Sequence, residues 1–238
     1  MDNAIYATLT RQSGLMREMQ AVANNIANVS TGGFRREGMV FAEHVAALDR
    51  DAPSLSMATA RGRVIDLSQG GLTTTGGTFD FAIEGEGFFQ VQAGDRRLLT
   101  RAGSFIPTPE GELMTPDGAR LLDGGGAPVN VPPGATNIHL SGDGTLSADG
   151  QPVAQLGAVQ PADANSLTHE GGTRFAFQGE LEPVEESRLM QGALEDSNVN
   201  PVTEIARMIE VQRAYEMGQT FLDREDNRIK TAISTLIR

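Results

Sequence analysis

The sequence predicts an α+β fold in which long N- and C-terminal helices form a coiled-coil-like filament core, with a mainly-β domain inserted between them. Three observations predict it. An apolar stripe at helical spacing lies near the start, and a seven-residue apolar repeat lies near the end. From about residue 78 onward, short alternating apolar runs are punctuated by glycine and proline.

In the first helix Ile5, Leu9, Gln12, Met16, Met19, Ala23 and Ile26 fall at alternating gaps of four and three, one face of a helix on which Gln12 is the polar break. Gly32-Gly33 supplies the stop. In the second helix Met208, Tyr215, Leu222, Ile229 and Leu236 recur at every seventh position. Ile205 and Ile233 occupy companion positions, with Gln212, Gln219 and Asp226 between. Asn200 is a suitable N-cap, Pro201 fits the first helical position, and Glu204 places a carboxylate in the first turn. At the α-helical rise the two helices run roughly 39 and 54 Å. Such helices pair within one chain or seek partners on neighbouring subunits. The greater length of the second and its polar seam favour neighbours, because a buried seam polar group is costly unless paired and often fixes register. Residues 1–36 and 196–238 are therefore expected to form one terminal helical domain.

Residues 37–77, with Pro53 followed by small and hydroxylated residues, read as an extended linker. Residues 78–195 read as a β-rich outer domain of meander or barrel type. Phe79, Phe81 and Ile83 alternate, and Phe88-Phe89-Gln90-Val91, Leu98-Leu99, Phe105-Ile106 and Leu113-Met114 follow at short intervals. Turns fall at Pro116-Asp117-Gly118, Gly142-Asp143-Gly144 and Asp149-Gly150. Phe34, Phe88, Phe89 and Phe105, flanked by turn glycines, are expected in the core.

The 238 residues carry a formal charge of -12, unevenly spread. Residues 1–36 hold four arginines and two acids, residues 196–238 six bases and seven acids, and the middle nine bases and 22 acids. Near-neutral ends pack densely with little self-repulsion, while an acidic middle stays solvated; nucleic acid is an unsuitable partner. No apolar run reaches the roughly 18 residues of a membrane span, and the N-terminus lacks the basic-then-apolar pattern of a cleaved secretory signal. The absence of cysteine suits a reducing cytoplasm and an oxidising compartment equally.

Catalytic signals are weak. His44, His139 and His169 are scattered, with no ligand at metal spacing. Gly85-x-Gly87 lacks the third glycine of a dinucleotide fingerprint and leads into a strand. Asp143, Thr145, Ser147 and Asp149 alternate like calcium ligands, but Ala148 and Ala154 stand where that loop needs Gly and Glu. Glu84 and Glu86 share a strand face, as a glycosidase pair would, in a region rich in acids. Ser104 does not sit in a nucleophile elbow. No catalytic, cofactor or metal residue is assigned.

Three local strings point further. Val22-Ala23-Asn24-Asn25-Ile26-Ala27-Asn28 leads through Val29-Ser30-Thr31 into Gly32-Gly33-Phe34. Ser197-Asn198-Val199-Asn200 precedes Gln212-Arg213-Ala214-Tyr215-Glu216. Ala82-Ile83-Glu84-Gly85-Glu86-Gly87-Phe88-Phe89 precedes Thr100-Arg101-Ala102-Gly103-Ser104-Phe105 and Pro116-Asp117-Gly118. In this order they resemble the motifs of the bacterial flagellar rod and hook proteins. The resemblance covers both ends and the first third of the β-region; Gly32 stands where many relatives have proline or asparagine. Length and the opening Met1-Asp2-Asn3-Ala4-Ile5-Tyr6 look most like proximal rod subunits, with the distal rod as the alternative.

The resemblance implies a non-enzymatic structural subunit of the basal-body rod crossing the periplasm, exported without a cleaved signal peptide and transmitting motor torque. Implied partners are other copies, neighbouring rod proteins, the rod cap and the flagellar type III export apparatus, with no membrane insertion. The expected subunit interface comprises Ile5, Leu9, Met16, Met19, Asn24, Asn25, Ile26 and Asn28 on the first helix. On the second it comprises Ile205, Met208, Gln212, Arg213, Tyr215, Glu216, Gln219, Leu222, Asp226, Ile229, Ile233 and Leu236. The asparagines either bridge subunits or end the helix, and Arg213 and Glu216 pair along the helix or across subunits. Rival classes are a cell-wall hydrolase with helical appendages, requiring Glu84 and Glu86, and an adhesin using the acidic β-region.

Overall fold

A computed structural model describes residues 2–46, 55–163 and 166–236. The chain divides into two compact units. One joins Met1–Ala27, Glu37–Asp66 and Asn200–Arg238; the other joins Asn28–Arg36 and Leu67–Val199.

The first, helical unit holds α1 (Asp2–Ala27) and α2 (Pro201–Leu236). The Asn200 side-chain oxygen accepts from the backbone N–H groups of Val202 (3.0 Å) and Thr203 (3.2 Å), satisfying two donors that every helix start leaves open. The helices run antiparallel, Asn25 meeting Glu204 and Gln12 meeting Tyr215. The unit also contains β1 (Glu37–Ala46) and β2 (Leu55–Ile65), an antiparallel hairpin in register from Glu37 opposite Ile65 to Ala46 opposite Leu55, with one bulge at Val40/Phe41.

This arrangement corrects the predicted fold class. Among the described residues the chain has two helices and is otherwise mostly antiparallel strand, and the β-structure is not inserted between long coiled-coil helices. Of the residues expected to form an extended linker, Glu37–Ala46 and Leu55–Ile65 pair as the β1–β2 hairpin and belong with the helices, while residues 67–77 belong to the other unit. The physical reason lies in which helix faces turn inward. α1 buries Leu15, Glu18, Ala21, Val22 and Asn25, a face displaced by one residue from the apolar stripe, and α2 buries Glu204 and Val211 instead of its heptad.

The β-unit carries β3 (Leu72–Thr74), β4 (Phe81–Glu84), β5 (Phe89–Ala93), β6 (Arg96–Thr100), β7 (Ile106–Pro107), β8 (Leu113–Met114), β9 (Arg120–Leu121) and β10 (Ile138–Leu140). It continues through β11 (Thr145–Ala148), β12 (Gln151–Gln155), β13 (Val159–Pro161), β14 (Thr168–His169), β15 (Arg174–Ala176), β16 (Leu181–Pro183), β17 (Arg188–Gln191) and β18 (Ala193–Glu195). A seven-stranded sheet has the order β14-β15-β6-β5-β9-β8-β7. Smaller sheets are β10-β11-β12, β13-β16, β17-β4 and β18-β3. Turn chemistry sets several registers: Asp149-Gly150, both at positive φ (49° and 81°), closes the β11–β12 hairpin.

Its core is apolar and closed. Phe81, Phe89, Val91, Leu113, Leu121 and Leu146 are fully buried, and Phe89 meets Phe105 edge-on at 5.8 Å. Phe34, Phe88, Phe89 and Phe105 are all buried, as their turn-flanked positions predict. Gly33, at φ 72°, crosses so near the Arg101–Ala102 backbone that any Cβ would collide with it. One charged knot lies beneath: Glu195 accepts from Arg35 (2.6 Å) and Arg101 (2.9 Å), all three buried. Burial lowers the Arg101 guanidinium to about 10 despite Glu195 beside it.

Candidate subunit interface

Within the helical unit the α1–α2 seam is polar and small. Asn25 donates to the Glu37 carbonyl (2.8 Å) and to Glu204 Oε2 (3.0 Å), and its own oxygen accepts the Glu37 N–H (2.9 Å). One buried amide thus ties the end of α1, the start of β1 and the first turn of α2. Glu37 also pairs with Arg63 at 3.2 Å. Further along, Arg207 Nε donates to Glu18 (2.6 Å) and Gln12 Nε2 to the Tyr215 carbonyl (2.8 Å). A Cβ at Gly218 would meet the Gln12 amide, so this mid-helix glycine, otherwise about 1 kcal/mol worse than alanine, leaves that amide room to reach Tyr215.

Because this seam takes the inward faces, the apolar residues singled out from the sequence stay largely uncovered. Leu9 is 49% exposed, Ile205 51%, and Met16, Ile229 and Ile233 are also exposed. Ile5, Met19, Ile26, Asn28, Met208, Tyr215 and Leu222 are half-buried; Asn24, Gln212, Arg213, Glu216, Gln219 and Asp226 are exposed. Asn25 is buried inside the unit, and the Leu236 side chain lies outside those described. Two of the seam polar groups are engaged locally: Gln219 donates to the Tyr215 hydroxyl (3.2 Å), and Asp226 pairs with Lys230 (2.6 Å), which raises the lysine pKa. Arg213 and Glu216 form no ion pair with each other. Exposed Val202, Ile209, Met217 and Phe221 extend the apolar surface and were not singled out. The inward set Glu204, Val211 and Gly218, with Arg207 and Ala214 beside it, also repeats in sevens. Its signal was Gly218, a helix-interior glycine that demands a close neighbour.

No group of His, Cys, Asp or Glu able to hold a metal occurs among the described residues, and no described helix is long and apolar enough to cross a membrane.

Residues 190–235 match the family model for the C-terminal region of flagellar basal-body rod FlgEFG proteins, and residues 82–148 match that for the D1 domain of flagellar hook FlgE/F/G proteins. The chain is 38% identical to the flagellar basal-body rod protein FlgF of Caulobacter vibrioides, over 99% of this chain and 98% of the relative. The chain belongs to the flagellar basal-body rod protein family. The FlgF of Mesorhizobium japonicum is 33% identical over 99% of this chain and 98% of its own. A rod protein named FlgG, from Buchnera aphidicola of Schizaphis graminum, is 32% identical over 89% of this chain and 91% of its own. On the structure, the rod-family C-terminal match takes in nearly all of α2 with its uncovered apolar residues. The D1 match takes in β4 through β11, where most of the closed core lies.

Proposed function

We propose that the chain is a structural, non-enzymatic subunit of the basal-body rod, in its proximal part, and that it polymerises through its terminal helices to carry motor torque across the periplasm. The observation that supports this is the uncovered apolar surface on both helices, at Leu9, Met16, Ile205, Ile229 and Ile233. Five such side chains in water are a standing hydrophobic cost. Burying the exposed part of each against another copy or a neighbouring rod protein contributes about 1 kcal/mol, which sums over a lattice. The near-neutral helical unit, eleven bases against 13 acids, packs at high density, while the acidic β-unit keeps the subunit soluble before assembly. Export by the flagellar type III apparatus and insertion under the rod cap belong to the same reading.

The test is Ile229→Asp with Ile233→Asp, both at exposed positions. Folding, followed by far-UV circular dichroism, is unchanged, and the chain disappears from purified basal bodies. Normal incorporation sinks the proposal. The distal rod is the second reading, favoured by the similarity to FlgG. Labelling the chain in images of isolated basal bodies separates the two.

A further inference from the structure

Two adjoining clefts on the helical unit, of about 320 and 640 Å³, share Met217 and Phe221. Met217 is 67% exposed and Phe221 is also open to solvent; Gly218 deepens the floor. The rim is basic. Arg11, Arg213 and Arg224 line it against the single acid Glu216, and none of the three arginines has an ion-pair partner among the described residues. An apolar floor with an unpaired cationic rim asks for an acidic partner with some apolar surface.

The β-unit supplies that chemistry. It carries eight arginines and 18 acids, several of which are already committed. Glu112, Glu170 and Asp117 pair with Arg120, Arg96 and Arg174. Asp123, Asp143 and Asp149 accept from turn N–H groups. Along residues 180–186, by contrast, Glu180, Glu182, Glu185 and Glu186 are exposed without an ion pair among the described residues, and half-buried Leu181 and Val184 lie among them. Among the described residues, strand β16 of this segment pairs with β13 alone, so it has no second hydrogen-bonded strand.

Resting on the polymer reading above, we infer that the basic cleft of one copy receives the acidic β16 edge, residues 180–186, of a second copy. The contact sets lateral register between subunits: rim charges choose the neighbour, and Met217 and Phe221 bury against Leu181 and Val184. It differs from pairing between helices in placing unlike units of two copies together.

The chain has no cysteine, so two single substitutions, Thr220→Cys in one copy and Glu185→Cys in another, report the contact directly. Both variants are co-expressed in place of the native chain, basal bodies are purified, and mild oxidant is applied. A 220–185 disulfide is expected. Arg213→Glu with Arg224→Glu in the first copy should lower its yield about tenfold, and Glu182→Arg with Glu186→Arg in the second should recover most of that loss. Chain present in basal bodies with 220–220 disulfides or none overturns this inference and leaves the rod reading standing. Chain absent from basal bodies that the native chain enters overturns both.

Discussion

The two units solve opposite problems with the same alphabet. In the β-unit the large apolar residues are inside: Phe81, Phe89, Leu113 and Leu121 are completely buried, and the buried charges Arg35 and Arg101 both meet Glu195. In the helical unit polar residues share the buried face with Leu15, Val22 and Val211. Gln12, Glu18, Asn25 and Glu204 are buried, while Leu9, Ile205, Met217 and Ile233 face solvent. One unit is complete within its chain. The other keeps polar groups for its internal seam and leaves much of its apolar surface uncovered.

The sharpest way to break this comparison is to injure the charged knot of the β-unit. Glu195→Ala leaves two buried guanidiniums facing each other without their carboxylate, a loss of about 3–5 kcal/mol. Hydrogen exchange followed by mass spectrometry should show protection collapsing across β4, β17 and β18 while α2 amides keep theirs. Loss of protection in both units would mean that they unfold as one, and the contrast would fail.

A matched pair of leucines sharpens it. Leu121→Ala empties a fully enclosed site and should destabilise the β-unit by about 2–5 kcal/mol in urea unfolding. Leu9→Ala, at a site half open to water, should change stability by no more than about 0.5 kcal/mol. Its effect should appear instead as reduced incorporation into basal bodies. A comparable loss of stability from both substitutions would show that Leu9 already has its partner within the chain.

The buried amide of the helical unit comes next. Asn25→Ala leaves the Glu37 N–H and the Glu204 carboxylate short of a partner in a dry site, which should cost about 1–3 kcal/mol. Both tyrosines, Tyr6 and Tyr215, lie in the helical unit, so tyrosine fluorescence during unfolding reports this loss selectively. An unchanged midpoint would show that the amide is dispensable.

Much of this was legible from the residues, and the failures have a common cause. Periodicity located both helices, and Asn200-Pro201 marked the start of α2. Alternation and turn residues located β4, β5, β6 and the β11–β12 hairpin. What periodicity could not give is which neighbour a stripe faces. Val22 and Leu15 were buried in place of Ala23 and Met16, because a seam made from Gln12, Glu18 and Asn25 has no apolar signature. The β1–β2 hairpin was missed because small and hydroxylated residues such as Ser56, Ala58 and Thr59 lack strand alternation; pairing with β1 decides their conformation. The Arg35–Glu195–Arg101 knot joins residues up to 160 positions apart, a separation that no local pattern encodes.

The smallest expected effect tests whether the β-unit is self-contained down to its turns. Asp149 accepts from the backbone N–H groups of Asn137 (2.9 Å) and Thr136 (3.2 Å), and these bonds hold its carboxyl below the ordinary aspartate value. A lowered folded-state pKa means that the unfolded chain binds the proton first as pH falls. The stabilisation is therefore fully present above the unfolded value of about 3.9 and is lost as pH drops through the folded one. The carboxylate is solvent-exposed, so the loss should loosen the β11–β12 turn from the residues before β10 without unfolding the sheet. In an NMR titration from neutral pH into acid, the Thr136 and Asn137 amide signals should move together with a midpoint below about 3.9, and Asp149→Asn should abolish the movement. A midpoint at or above the ordinary aspartate value would show that the turn is held by its glycine alone, Gly150 at φ 81°, and that the carboxylate is incidental.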